Sequence, residues 1–206
     1  MTDYNLPDNE LLLSESNYGF HIFKPDKSYL VLGRSNKEEQ SIFLDLASED
    51  NITILQRPSG GEAVLLTPNM VVISIKMPLI KGHKPNFYFE HANALITNCL
   101  KEMGVENIHS RGISDLSIGN KKILGSAIYR TPNSMFYHAV LNINEDIKLI
   151  SKYLKHPKRE PDYRKGRPHS SFITSLKDES HTINYDVLHI CLENTLNSSF
   201  FSIFAL

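Results

Sequence analysis

Short apolar runs rich in β-branched and aromatic residues open the chain's pattern. Residues 19–23 and 28–33 have this character and predict two strands joined by the turn at Pro25-Asp26. In residues 41–48 the apolar positions Ile42, Phe43, Leu46 and Ala47 share one helical face, which predicts a short helix. Residues 51–56 return as a strand, and residues 63–66 and 70–77 give two more, broken at Thr67-Pro68-Asn69. The run 70–77 is almost wholly apolar and reads as a central strand. The clearest helix covers residues 86–103, where Phe89, Ala92, Leu95, Ile96, Cys99 and Leu100 fall at helical spacing and Gly104 stops it. Residues 115–118 and 121–130 flank Gly119-Asn120 and predict a hairpin. A strand over 135–143, a helix over 146–154 and a helix over 185–196 follow. Strands with interspersed helices and a local hairpin predict an α+β domain with a mixed or mostly antiparallel sheet.

The 206 residues are enough for one sizeable domain, and 41% hydrophobic with 22% charged is a globular balance. A formal net charge of −1 argues against a general nucleic-acid or membrane-surface binder. No apolar run has the length of a membrane span. The polar start, residues 1–10, lacks the order of a signal peptide. The apolar end, residues 200–206, is expected to pack on the domain or on a partner. Cys99 and Cys191 have no metal-ligand spacing and suggest a reducing compartment. Both sit on apolar helical faces and read as buried, inert thiols.

Two motifs carry candidate chemistry. Arg57-Pro58-Ser59-Gly60-Gly61 links two predicted strands. Its glycines let backbone N–H groups approach an anion, although Pro-Ser-Gly-Gly is equally good chemistry for a plain turn. In Lys122-Ile123-Leu124-Gly125-Ser126-Ala127, regular alternation puts Lys122, Leu124 and Ser126 on one face. Gly125 inside a strand implies close approach of a ligand or another backbone. Asp115 could accept from a ligand, help hold a metal, or cap its turn. His138 lies in an apolar strand, where a satisfied core role is the plainer reading. Residues 156–169 are basic and proline-rich, which fits a solvated loop or an anion clamp. No Gly-x-Ser-x-Gly elbow is present, and Ser59 and Ser126 have no His or Asp beside them in sequence.

These residues also resemble a known family. The segment from Arg57 through Ala63 to Val64 is similar to the Arg-x-Ser/Thr-Gly-Gly-x-Ala-Val signature of lipoate–protein ligases and octanoyltransferases. Gly112-Ile113-Ser114-Asp115-Leu116 resembles their Gly-Arg-Asn-Asp-Leu segment. Lys122 to Ala127 resembles their Lys-Ile-x-Gly-Ser-Ala motif, and His138 to Asp146 their His-Gly-x-Leu-Leu-x-x-x-Asp stretch. The resemblance implies a class II biotin/lipoate ligase-like α+β fold, with a mixed, largely antiparallel sheet, flanking helices and an acyl tunnel. It implies Lys122 as the catalytic lysine and Arg57 paired with phosphate or carboxylate. Ser59, Gly60, Gly61 and Ala63 would line the acyl pocket. Asp115 would contact the nucleotide or its magnesium, Gly125, Ser126 and Ala127 would border the adenylate, and His138 would support the pocket.

The family holds two chemistries. Ligases adenylate lipoate or octanoate with ATP and magnesium, then acylate a lysine of a lipoyl domain. Transferases move the acyl group between carrier proteins, usually through a cysteine. Neither Cys99 nor Cys191 stands at a family nucleophile position, which favours the ligase. An ATP-independent transferase and a non-catalytic lipoyl-domain binder are the alternatives. Departures fall at Glu62, at Leu65-Leu66-Thr67 in place of Tyr-His-Asp, and at Met70, Ser114 and Ala139. They bear on nucleotide affinity and acyl preference. Biotin is disfavoured because the biotin-ligase Gly-Arg-Gly-Arg loop is missing. The expected organisation is one catalytic domain over residues 1–206 with no C-terminal accessory domain, in the cytoplasm. Expected partners are a lipoyl-domain acceptor, glycine cleavage H protein-like or 2-oxoacid dehydrogenase E2-like, and a separately encoded accessory domain.

Overall fold

The computed structural model describes residues 2–203, so the terminal apolar expectation falls largely outside the described side chains. In chain order the elements are β1 (Thr2–Asp3), α1 (Asp8–Leu13), β2 (Gly19–Phe23), β3 (Tyr29–Leu32), α2 (Glu38–Ser41), α3 (Leu44–Glu49) and β4 (Thr53–Gln56). Then come β5 (Val64–Leu66), β6 (Met70–Pro78), α4 (Pro85–Glu102), β7 (Ile108–Arg111), β8 (Asp115–Ile118) and β9 (Lys121–Arg130). The last are β10 (Ser134–Asn142), α5 (Ile147–Tyr153), α6 (His169–Phe172) and α7 (Tyr185–Ile203).

The strands form two sheets rather than one. The larger is antiparallel, in the order β2-β6-β10-β9-β8-β7; the smaller is mixed, in the order β1-β4-β3-β5. The two predicted neighbours at the start, β2 and β3, are therefore parted between sheets and pair with β6 and with β4 and β5. β6 is buried along nearly its whole length because both its faces are covered. Val71, Ile73, Ile75 and Met77 pack with α4 and α7, through Ala92, Ile96, Leu100, Leu188 and Leu192. Val72 on the opposite face packs with Val31, Leu55 and Leu66 of the smaller sheet. The same face carries Ser74 and Lys76. Ser74 Oγ donates to the buried Asp8 Oδ2 (2.7 Å), and Lys76 Nζ donates to Leu11 O, Leu12 O and Ser14 O at the end of α1.

Three local expectations change. The helix predicted over 41–48 is two pieces, because Ile42 leaves helical geometry to bridge Leu154. Ile42 is buried while Phe43, expected beside it, is exposed. β1, α1, β7 and α6 are additional to the predicted elements. The cysteines are not separate thiols: Cys99 of α4 and Cys191 of α7 form a disulfide, with Cα atoms 5.9 Å apart. Their pairing removes the inference of a reducing compartment. Among the described residues no helix is long and apolar enough to cross a membrane.

Candidate functional site

A cavity of about 1150 Å³ lies between the two sheets. β5, β6, β10 and α5 line it with apolar groups such as Leu66, Met70, Val72, Val140 and Ile150. β7, β9 and residues 156–169 line it with Arg111, Lys122, Arg159 and Arg164.

The Arg57 segment forms one wall. Gly61 sits at φ +93°, in the left-handed region that favours glycine. Its carbonyl oxygen would meet a Cβ on Gly33 at 2.1 Å, so the loop crosses β3's end only because residue 33 has no side chain. Arg57 is buried, and its donors turn into the fold. Nε donates to Ser59 Oγ (3.0 Å), Nη1 to Val31 O (3.0 Å), and Nη2 to Gly60 O (2.9 Å) and Glu62 O (2.8 Å). Burial holds its guanidinium pKa down, at about 10. The expected partner was a ligand phosphate or carboxylate; the observed partners are oxygens of its own loop and the Val31 carbonyl of β3.

Ser59 Oγ, which accepts from Arg57, lies 2.6 Å from His138 Nε2. Burial, and then the Arg57 charge, push the His138 pKa down to about 3, so the ring is neutral near pH 7. His138 thus has a hydrogen-bond partner distant in sequence, and it lines the cavity.

The Lys122 wall rests on a bulge. β8 and β9 pair Leu116 with Leu124 but Ser117 with Lys122, a register shift between Leu116 and Ser117. The extra residue breaks regular alternation: Ile123 and Leu124 are both buried in the helix-side core. Lys122 therefore lies with Gly125, not with Leu124 as alternation predicts. A Cβ on Gly125 would stand 2.5 Å from Lys122 Nζ. The close approach that Gly125 permits is that of the lysine itself. Lys122 Nζ reaches Asp115 Oδ1 at 2.8 Å, and Tyr163 OH donates to Asp115 Oδ2 at 2.9 Å. Ala127, paired with His138, continues the cavity wall, and Ser126 Oγ donates to Ser114 O (2.7 Å). Ala63 also lines the cavity.

The basic segment 156–169 is largely exposed, as a solvated loop would be, but it is also tied to the fold beside the cavity. Its Arg159 N donates to Glu62 Oε1 (3.3 Å), and Arg164 is stacked 4.7 Å over the Phe172 ring. Arg164 Nη2 and Arg111 Nε are buried with no hydrogen-bond partner, which suits both to an anion in the cavity. Tyr163 and Arg111 are not among the residues the sequence singles out, while Arg164 falls in the basic segment that fits a solvated loop or an anion clamp. The only signal was the cluster of basic residues, with nothing to say what it faces.

Comparison with known proteins fixes the lineage. The lipoyl protein ligase A/B catalytic domain matches residues 9–196. The chain belongs to this family. It is 30% identical over 159 residues to lipoate–protein ligase A of Psychrobacter cryohalolentis, covering 70% of this chain and 44% of that protein. It spans less than half the length of the curated relatives it matches. Among solved structures, a bi-partite lipoate protein ligase of Thermoplasma acidophilum gives a TM-score of 0.77 at 19% identity, over 94% of this chain and 75% of that one. A lipoate–protein ligase A bound with ATP gives 0.72 at 18%, over 89% and 71%. These likenesses establish the fold: the expected α+β lipoate ligase architecture is the one observed. The departures at Leu66 and Met70 lie in this family member's apolar cavity lining, where both are buried.

Proposed function

We propose that this chain is the catalytic part of a lipoate–protein ligase. It activates lipoate or octanoate with ATP and transfers the acyl group to a lysine of a lipoyl-domain protein. The observation that carries the reading is the Lys122 ammonium, held over Gly125 by Asp115. β9 lies between β10, with its apolar cavity residues, and β8–β7, which ends at Arg111. A charge there meets a carboxylate whose hydrocarbon tail lies along β10, β6 and β5.

In the first step an acyl carboxylate oxygen attacks the α-phosphorus of ATP. A P–O bond forms, the bond to pyrophosphate breaks, and pyrophosphate leaves. Lys122 is placed to offset charge on the phosphoryl and carboxyl oxygens, with Arg111 and Arg164 as further cations. In the second step the acceptor's neutral amine attacks the acyl carbonyl. A C–N bond forms, AMP leaves, and the amine's proton passes to solvent. The apolar lining keeps water from the activated acyl group. Magnesium enters with ATP, on the phosphates. Asp115 would be the carboxylate to meet it: its oxygens already face Lys122 and Tyr163 but keep acceptor capacity for the ion. Among the described residues no group of three or more acidic, histidine or cysteine side chains could hold a metal by itself. Neither cysteine lines the cavity, so a thioester route has no nucleophile there.

The acceptor is of the glycine cleavage H protein or 2-oxoacid dehydrogenase type. An accessory domain on a separate chain fits the description of the T. acidophilum neighbour as bi-partite with an E2 lipoyl domain. The need for ATP favours the cytoplasm, where the Cys99–Cys191 disulfide would be an exception to the usual reduced state of thiols. The test is the intact mass of a lipoyl domain after incubation with the protein, lipoate, magnesium and ATP. A lipoyl mass gain that requires ATP is expected. A gain only from an octanoylated carrier protein without ATP would replace the ligase with a transferase.

A further inference from the structure

Residues 156–169 are tied over the cavity at several points. Arg159 N is held by Glu62 Oε1, and Arg167 Nη2 donates to Asn120 O (3.0 Å). Pro161 lies against Gly112, where an added Cβ would come 3.4 Å from the Pro161 Cβ. Those contacts end on the frame around the site. The Tyr163 hydroxyl differs, because it ends on the carboxylate that holds Lys122.

Asp115 Oδ1 meets Lys122 Nζ at 2.8 Å and accepts a long bond from Ser114 Oγ at 3.4 Å, while Oδ2 accepts from Tyr163 OH at 2.9 Å. Its terminal torsion is soft and roughly two-fold, so the backbone alone does not fix where its oxygens point. A donor on Oδ2 sets the plane of the carboxylate and with it the position of Oδ1. The ammonium lies over a glycine, so no Cβ at residue 125 would confine it if the carboxylate turned. Burial and the Asp115 charge also push the Tyr163 pKa far up, which keeps the hydroxyl a donor.

We propose that Tyr163 is a positioning residue. Its hydroxyl fixes the Asp115 carboxylate so that Lys122 points at the reacting oxygens, and it makes that alignment conditional on segment 156–169 lying over the cavity. The inference rests on the ligase reading and goes beyond it, since it makes one contact both the latch of the segment and the setting of the lysine.

The test is Tyr163→Phe. The ring stays packed on Phe172, 5.1 Å away, so the change removes little but the hydroxyl. With lipoate, ATP and a lipoyl domain, kcat is expected to fall about tenfold while KM for lipoate and the urea midpoint hold. Amide hydrogen exchange of residues 156–169, followed by mass spectrometry in Tyr163→Phe and Asp115→Ala, each of which removes the contact, is expected to speed up in both. A wild-type kcat, or a raised KM with kcat unchanged, would overturn the positioning role even if exchange quickens. If the wild-type protein transfers no acyl group, the ligase reading fails by itself. Exchange then decides the contact: acceleration in both variants supports the latch, and unchanged exchange overturns it.

Discussion

Two cations reach one cavity from opposite frames, and their surroundings divide their work. Arg57 is 5% exposed and donates to Ser59, Val31, Gly60 and Glu62. The Lys122 side chain is 26% exposed and is held by one carboxylate. A guanidinium whose donors all end on protein oxygens, in its own loop and on β3, gives that loop its shape and ties it to the sheet. An ammonium with one counter-charge and an open side can meet a ligand. Both residues belong to family motifs, so motif membership does not tell a structural cation from a reacting one. The count and origin of hydrogen-bond partners does.

The comparison is tested most sharply at Lys122. Lys122→Ala is expected to lower acyl transfer by about 100- to 1000-fold, the scale of losing one preorganised donor at developing charge. The urea midpoint should fall, because the buried Asp115 carboxylate loses its counter-charge, but the variant should remain folded at assay conditions. An active variant would remove Lys122 from the reaction.

Arg57 should behave in the opposite way. Arg57→Ala strands the carbonyls of Val31, Gly60 and Glu62 without their donor, and the expected loss is about 3 kcal/mol of stability by urea unfolding. Arg57→Lys should recover only part of it, because one ammonium cannot reproduce a planar fork. A variant of unchanged stability that no longer binds ATP, measured by calorimetry, would make Arg57 a ligand residue and dissolve the distinction.

Gly125→Ala probes the Lys122 side more gently. The new Cβ would sit 2.5 Å from Nζ, so the ammonium must move off Asp115. Turnover is expected to drop roughly 10- to 100-fold with little change in lipoate KM, as befits a misplaced rather than missing group. Parent-level turnover would show that Lys122 has no need of this seat.

Acidification acts on the Arg57 side. His138 has its pKa lowered from 6.5 to about 3, first by burial and then by Arg57. Between these values the unfolded chain binds a proton that the folded chain refuses. The stability is therefore full above about pH 6.5 and is lost progressively as pH falls toward 3. His169, lowered to about 4 chiefly by burial, adds in the same direction. His138→Gln should flatten the acid slope of urea midpoints taken across this range. An unaltered slope would mean that His138 does not titrate between the two states.

What the sequence reveals of all this follows from the range of each interaction. The strands β2, β4 and β6, the helix α4 with its Gly104 stop and the β8–β9 hairpin are legible because local periodicity and turn chemistry decide them. The motif residues could be named for the same reason. The face of Lys122 could not be read, since a bulge is a property of two paired strands and Leu116/Ser117 carry no mark of it. Nor could the Ser59–His138 contact, across 79 residues, or the descent of Tyr163 onto Asp115, across 48. The division into two sheets was hidden likewise, because β2 and β3 adjoin in sequence and choose distant partners.

The smallest expected effect on turnover lies on the far side of the larger sheet. Cys99 and Cys191 join α4 to α7 among the helix-side core residues, and the cavity opens between the two sheets. Neither sulfur lines that cavity, and no group on this face is asked to meet a substrate. Cys99→Ser with Cys191→Ser, or reduction of the pair, should therefore leave kcat per folded molecule unchanged, though thermal stability falls as the cross-link is lost. Mass spectrometry during turnover should find no acyl group on either cysteine. An acylated cysteine, or a large loss of turnover in a folded double variant, would bring back a thioester route. It would also mean that the charge at Lys122 serves an acyl group delivered from elsewhere.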